Sequence, residues 1–185
     1  MSAPAAAAPP APARASENPC RAVRVIKVVV NAGVGESGEP RAKAERVLRM
    51  ITNAKPVATR AKATNRDLGL RMGQEIGAKV TLRGPTALEF LNRALEARDR
   101  QMDPDSVDRS GNFSFGIADY TDFPGMKYDP AIGIVGMDIC VEVGRAGWRI
   151  RHRQRSARAL PRHLRVRPDE TRAFLAGPLK VTFLE

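Results

Sequence analysis

The sequence predicts an α+β fold with a largely antiparallel sheet, helices packed on one face of that sheet and the other face left open. Its predicted segments run strand, helix, short strand, loop, strand, helix, three strands and a helix, without the strict alternation typical of parallel α/β folds. The 185 residues, 43% of them hydrophobic, suffice to bury one core but not two full domains. We therefore expect a single domain over residues 20–185.

The first segments follow from composition and spacing. Residues 1–19 are rich in Ala, Pro and Ser, and such a composition predicts a flexible tail. Residues 23–31 are rich in β-branched side chains and predict a strand. After Gly38 and Pro40, apolar residues recur at helical spacing and predict a helix, namely Ala44, Val47, Leu48 and Ile51.

The middle of the chain contains two further strands and a helix. A short strand is expected to begin at residues 55–57, and another covers residues 76–83. Between them, residues 60–73 have few large apolar side chains and predict an exposed, mobile segment that we call the basic loop. Residues 86–98 follow Gly84 and Pro85 and predict a helix with a leucine stripe formed by Leu88, Leu91 and Leu95.

Three strands and a helix are expected in the last third. Residues 112–117, 132–143 and 148–151 predict strands separated by Gly and Pro. Residues 168–176 predict a short helix with Asp169 and Glu170 in its first turn, where the helix dipole favours negative charge.

Positive charge is concentrated in two parts of the chain. The net charge is +11, with +7 in residues 41–71 and +9 in residues 145–167, so the remainder sums to −5. We call residues 145–167 the arginine segment. Such separation predicts one surface for a polyanion, with nucleic acid favoured over an anionic membrane. A generally basic soluble protein would explain the total charge but not its separation.

Membrane, secretory and disulfide-stabilised classes receive no support. No apolar run approaches the roughly 20 residues that span a bilayer, and the first residues lack the basic region of a secretory signal. We therefore expect a soluble, intracellular protein. Cys20 and Cys140 are far apart, so we expect free thiols rather than a disulfide framework or a zinc site.

Alternation along two predicted strands places polar side chains on one side. Ala78, Val80 and Leu82 point one way in their strand, as do Ile26, Val28 and Val30 in theirs. If both strands belong to one sheet, its open face carries Lys27, Asn31, Lys79, Thr81 and Arg83. These donors suit phosphates, riboses and base edges, although an ordinary solvated sheet face is the alternative.

The segment Gly33-Val-Gly35-Glu-Ser-Gly38 matches the G-x-G-x-x-G dinucleotide fingerprint between a strand and a helix. No acidic residue ends the next strand, and Glu36 would lie unfavourably close to a pyrophosphate. The alternative function is an NADP-type dinucleotide-binding oxidoreductase, in which Lys55 or Arg60 meets the 2′-phosphate. Otherwise these glycines form a tight turn.

No other residues suggest catalysis. His152 and His163 lie within the arginine segment, where surrounding positive charge disfavours a general base. The aspartates lie on loop-like segments without the partners of a metal or acid–base site. Phe113, Phe115, Phe123 and Tyr128 fit core packing better than a stacking platform for bases. We expect no catalytic residue, no metal and no cofactor.

Five ordered stretches carry a resemblance to a known family: residues 29–36, 55–62, 76–84, 111–117 and 128–138. Through them the chain resembles large-subunit ribosomal protein five, the family that binds 5S ribosomal RNA, in its archaeal and eukaryotic form. The resemblance covers about residues 20–175. The family's Gly-Gln pair is replaced by Asn53-Ala54, which leaves the contact of that glutamine open.

The resemblance implies a fold and a set of contacts. The sheet face would dock on 5S rRNA, next to large-subunit rRNA in the central protuberance, with Asn31 and Thr81 at the family's RNA-contacting positions. The arginine segment resembles the C-terminal extension of this branch. The rRNA-binding residues are therefore expected to be Lys27, Asn31, Lys79, Thr81, Arg83, Arg149, Arg151, Arg153, Arg155 and Arg158.

The resemblance also implies partners beyond rRNA. The basic loop would reach the tRNA in the peptidyl site through Arg60, Lys62, Thr64, Arg66 and Arg71. Neighbouring proteins of the central protuberance and a small-subunit bridge protein would be further partners. The sequence thus predicts a non-catalytic, cytoplasmic, ribosome-bound RNA-binding protein. The oxidoreductase and a ribosome-independent RNA chaperone using the same surface are the alternatives.

Overall fold

A five-stranded antiparallel sheet forms the centre of the molecule. The computed structural model describes residues 19–35 and 38–184, so nearly all of the predicted tail lies outside the described residues. The strands of the sheet are ordered β2-β3-β1-β6-β5, and every neighbouring pair is antiparallel. Their bounds are β1 Arg24–Gly33, β2 Val57–Arg60, β3 Glu75–Leu82, β5 Phe113–Ile117 and β6 Met137–Gly144. The predicted α+β class is confirmed.

Two helices cover the inner face of this sheet. Helix α1 (Glu39–Thr52) has a proline in its first turn. Asn53, the residue that follows it, adopts the left-handed conformation and caps its C-terminus. Helix α2 (Pro85–Glu96) also begins with proline. Its buried stripe consists of Ala87, Phe90, Leu91, Ala94 and Leu95. The predicted position of Leu88 on this stripe is wrong, because Leu88 is 42% exposed and lies on the helix flank.

A third helix and a small parallel strand pair complete the fold. Helix α3 (Pro168–Ala176) has the predicted bounds, and the buried Thr171 hydroxyl donates to the Gly111 carbonyl at 2.8 Å. Strand β4 (Gln101–Met102) pairs in parallel with β7 (Thr182–Phe183). Both strands have only two residues, so no alternation could reveal them in the sequence.

The core fills the space between the helices and the inner face of the sheet. Inward side chains alternate along β1, β3, β6 and β5, and they form one buried cluster with the stripes of α1 and α2. Phe113, Phe115 and Phe123 are buried in this core, while Tyr128 is 57% exposed. The preference for core packing is therefore confirmed for the three phenylalanines. It is wrong for Tyr128, which lies in the exposed run of residues 127–131 before β6.

Two predicted strands differ from the observed backbone. Residues 148–151 form a 3₁₀ turn, Trp148–Arg151, because Gly147 adopts a φ of 97° and redirects the chain after β6. Strand β6 begins at Met137 rather than residue 132. The preceding residues form a turn in which Ile132 and Gly133 donate to the Asp129 carbonyl.

A β-bulge near the start of β1 shifts its alternation. The register changes between Val25 and Lys27, and Val25 pairs with the inward-facing Val143. Ile26 was predicted to share the inner face with Val28, but it lies against Gly144 instead. The extra residue of a bulge reverses which side chains face inward beyond it.

Candidate nucleic-acid interface

The outer face of the sheet, opposite the helices, brings together the polar residues predicted from alternation. Asn31 lies directly opposite Lys79 in the β1–β3 register, and Thr81 lies opposite Val29. Lys27 and Arg83 line the same groove at one end of these two strands. Hydrogen-bonded neighbours on one face hold their side chains close together, so these five residues form one polar surface.

The five residues differ in what they can offer a ligand. Lys79, Thr81 and Arg83 are exposed, and Asn31 is half-buried. Lys27 is also half-buried, and its ammonium forms an ion pair of 2.7 Å with Glu142 on β6. Because Glu142 neutralises Lys27, the positive field of this face comes mainly from Lys79 and Arg83. Sequence alternation located Lys27 but did not identify its acidic partner.

Charge divides the outer face along β1. Strand β3 contributes Lys79, with Arg83 just beyond its end, while β6 contributes Asp138 and Glu142. Asn31 lies on the boundary, paired with Lys79 on one side and Asp138 on the other. A polyanion is attracted to the β3 half and repelled by the β6 half. In the sequence of β6, the alternate positions Asp138, Cys140 and Glu142 already indicate that its outer side is acidic.

The basic loop is a hydrogen-bonded hairpin that extends β2 and β3. Asn65 and Leu70 exchange backbone hydrogen bonds at 2.9 and 2.8 Å, and Gly73 donates to the Ala61 carbonyl at 3.0 Å. The Thr64 hydroxyl accepts from the Met72 amide at 3.1 Å. The loop thus has local order that its sparse apolar content did not indicate.

Beyond its buried base, the side chains of this hairpin point away from the core. Ala61 is buried at its base, whereas Leu68 and Met72 are 69% and 74% exposed. Its predicted tRNA-contacting residues are exposed, namely Arg60, Lys62, Thr64, Arg66 and Arg71. Arg60 also lies 3.7 Å from Glu75, a weak contact at an exposed site. The hairpin therefore presents a positive tip beyond the edge of the sheet.

The arginine segment presents a second positive surface. Its predicted contact residues are all exposed, namely Arg149, Arg151, Arg153, Arg155 and Arg158. The segment is attached to the body by the buried side chains of Leu160 and Val166, and by the 2.8 Å ion pair between Arg145 and Glu170. Its exposed arginines are thus held on an anchored scaffold.

The turn at residues 33–38 lacks the surroundings of a dinucleotide site. Strand β1, which precedes it, has antiparallel neighbours on both sides, whereas the fingerprint requires a parallel sheet. Glu36 and Ser37 lie outside the described residues. Among the residues that the structure describes, no group of His, Cys, Asp and Glu is arranged to hold a metal ion. None of the described helices is long and apolar enough to cross a membrane.

Comparison with known proteins agrees with the geometry. The family model "Ribosomal protein L5" matches residues 18–71, and the model of the C-terminus of the same ribosomal family matches residues 75–167. The chain belongs to the ribosomal protein L5 family. A "Large ribosomal subunit protein uL5" from Sulfurisphaera tokodaii is 47% identical over 169 residues, covering 91% of this chain and 96% of the relative. A relative of the same name from Aeropyrum pernix is 44% identical and covers 100% of both chains. Another from Thermoplasma acidophilum is 46% identical and covers 89% of this chain and 98% of the relative.

Membership in the L5 family decides between the functional classes. The chain is a structural, rRNA-binding protein of the large subunit, ribosome-bound in the cytoplasm, and not an enzyme. The oxidoreductase alternative is unsupported, and the glycines at 33–38 form the turn between β1 and α1.

Proposed function

We propose that this L5-family chain binds 5S rRNA through the outer face of its sheet, in the central protuberance of the large subunit. The observation that carries the proposal is the register of β1 and β3, which places Asn31 beside Lys79 and leaves Thr81 exposed on the same face. An amide, a hydroxyl and a cation on one rigid surface suit bases, riboses and phosphates together.

The charge division of the outer face gives the bound RNA a preferred position. Phosphates contact Lys79 and Arg83, while Asp138 and Glu142 keep the backbone away from β6. Lys27 adds little net positive charge, because its ammonium lies 2.7 Å from the Glu142 carboxylate. Its aliphatic stem remains part of the contact surface. The acidic half remains available to basic segments of neighbouring ribosomal proteins, including a small-subunit bridge protein.

The basic loop is proposed to contact tRNA in the peptidyl site. Its hairpin carries five polar contact residues, is anchored only at its base and places two large apolar side chains, Leu68 and Met72, in solvent. Such an element suits contact with a partner, here the tRNA, that is in place only on the assembled ribosome. The arginine segment is proposed to bind adjacent large-subunit rRNA through its exposed guanidinium groups.

The proposal is tested by asking which RNA the full chain captures from total ribosomal RNA. We expect enrichment of 5S rRNA over small-subunit rRNA, and loss of that enrichment in Lys79→Glu/Arg83→Glu. The control Arg46→Glu/Arg49→Glu changes the net charge equally, but on exposed positions of α1 behind the sheet. Capture of all RNAs without preference, or an equal loss in both variants, would contradict the proposal.

A further inference from the structure

A large groove lies at the end of the sheet where β1 begins and β3 and β6 end. Its volume is about 970 Å³, and its walls come from the sheet, α2, α3 and the turn after β6. Apolar side chains form much of its lining, including Ile26, Leu88, Trp148, Phe174 and Leu179. The groove is thus large enough for a nucleotide-sized ligand.

Positive charge surrounds this apolar lining. Arg24, Arg83 and Arg149 line the groove, and none of the three forms an ion pair within the part of the chain that the structure describes. The other charged groups of the lining are paired, Lys27 with Glu142 and Arg145 with Glu170. Three guanidinium groups therefore remain for an anionic ligand.

The wall around Trp148 is built by close packing. A Cβ placed on Gly144 would lie 2.5 Å from Ile26 Cδ1 and 3.6 Å from the Trp148 ring. The bare glycine lets both side chains approach the strand. The Arg151 guanidinium lies 5.6 Å from the indole centroid over the ring, which further fixes the indole. Trp148 is therefore a preorganised aromatic surface.

The groove continues the outer face, since Lys27 and Arg83 belong to both and Arg149 connects it to the arginine segment. We propose that this groove binds an unpaired RNA nucleotide, with its base against Trp148 and Leu88 and its flanking phosphates at Arg24, Arg83 and Arg149. Apolar walls with aromatic surface accept a base, and the surrounding arginines accept phosphates. This inference rests on the RNA binding proposed above and adds a single-stranded site to it.

Trp148 is the only tryptophan in the sequence, so its fluorescence reports directly on the groove. The full chain is titrated with a ten-nucleotide oligoadenylate, with an RNA duplex of the same length and with inorganic polyphosphate. We expect the single strand to quench the emission, and neither the duplex nor polyphosphate to do so. Equal responses to all three probes would show charge binding alone and would overturn the proposal.

A matched pair of variants tests the groove itself. Leu88→Glu places a carboxylate in the groove from an exposed helix position, and Met50→Glu makes the same change at a similarly exposed position on α1. Leu88→Glu should weaken oligoadenylate binding by at least about five-fold, while Met50→Glu should not change it. Both should melt like the parent chain. Equal binding by the two variants would overturn the proposal.

Two further measurements distinguish failure of the groove from failure of the wider RNA-binding surface. If the parent chain retains 5S rRNA on filters but oligoadenylate neither binds nor quenches, the groove proposal fails and the proposed function survives. If 5S rRNA itself is not retained, the proposed function fails.

Deletion of residues 2–18 should leave the Trp148 emission unchanged. A shifted emission with unchanged oligoadenylate affinity would show that oligoadenylate binds outside the groove and would overturn the proposal.

Discussion

Asn31 lies at the boundary between the basic and acidic halves of the outer face. Its backbone pairs with Lys79 on β3 and with Asp138 on β6, so its amide side chain stands between a cation and an anion. An amide both donates and accepts hydrogen bonds. At this position it can fix the orientation of an RNA whose phosphates are attracted by one neighbour and repelled by the other.

We expect Asn31→Ala and Thr81→Ala each to weaken 5S rRNA binding by about 1 to 3 kcal/mol. Each removes a polar contact without touching the core, so the melting temperature should not change. Ser114→Ala is the control, because Ser114 is exposed on the same face but on the far strand β5. Filter binding and thermal melting of the three variants check this. Early melting, or normal binding, would show that the face is assigned incorrectly.

Two strand glycines should respond differently to the same substitution. A Cβ on Gly77 would lie 2.7 Å from the Ala32 carbonyl oxygen and 2.9 Å from the Thr59 hydroxyl. Strands β1 and β3 must separate to accept it, so Gly77→Ala should destabilise the fold by about 1 to 3 kcal/mol. A Cβ on Gly116 meets no atom closer than 3.7 Å.

Gly116→Ala is therefore the matched control and should change the unfolding free energy by less than about 0.5 kcal/mol. Urea denaturation of both variants gives the comparison. Equal midpoints would mean that β1 and β3 are not closely packed at Gly77.

The basic loop is the element whose removal should separate two RNA contacts. Deleting residues 62–70 and inserting a short Gly linker preserves Ala61, whose amide donates to the Gln74 carbonyl at 2.8 Å. Because the deleted residues are outside the core, melting and 5S rRNA affinity should remain near those of the parent chain. Retention of peptidyl-site tRNA by reconstituted ribosomes should fall. Loss of 5S rRNA binding instead would assign the loop to the primary RNA site.

Elements with a long periodic pattern could be predicted from the sequence. The stripes of α1 and most of α2, and the alternation of β3, located the helices and the outer face because burial alone determines them. The bulge beside Ile26 could not be predicted, since it depends on the pairing of β1 with β6. The turn at Trp148–Arg151 escaped prediction because the conformation of Gly147 overrides local strand propensity.

Prediction of the candidate site was limited in the same way. Period-two spacing placed Lys79 and Thr81 on one face, which needs only the strand itself. The pairing of Lys27 with Glu142 joins residues more than a hundred positions apart, so it needed the sheet order. The groove at Trp148 likewise brings together four separate parts of the chain, residues 23–27, 83–92, 142–152 and 174–179.

At the scale of the whole molecule, the two family-matched regions form one sheet. Strands β1 and β2 come from residues 18–71, yet β1 lies between β3 and β6 from residues 75–167. We therefore propose that residues 20–185 fold as one domain. Thermal unfolding should show a single transition, with far-ultraviolet circular dichroism and Trp148 fluorescence coinciding. Two separated transitions would contradict this.

The central claim is that clustered positive charge on this chain binds 5S rRNA, and its salt dependence is the most direct test. Each neutralised phosphate contributes a slope of about −0.7 to −0.9 to log K against log salt concentration. The cations on the β3 half of the outer face and in the groove that continues it, Lys79, Arg83, Arg24 and Arg149, can neutralise about four phosphates and predict a slope of about −3. Filter binding of 5S rRNA from low to high salt should show that slope, with tighter binding than to a small-subunit rRNA fragment of equal length. A slope shallower than about −1, or equal affinity for both RNAs, would contradict the account.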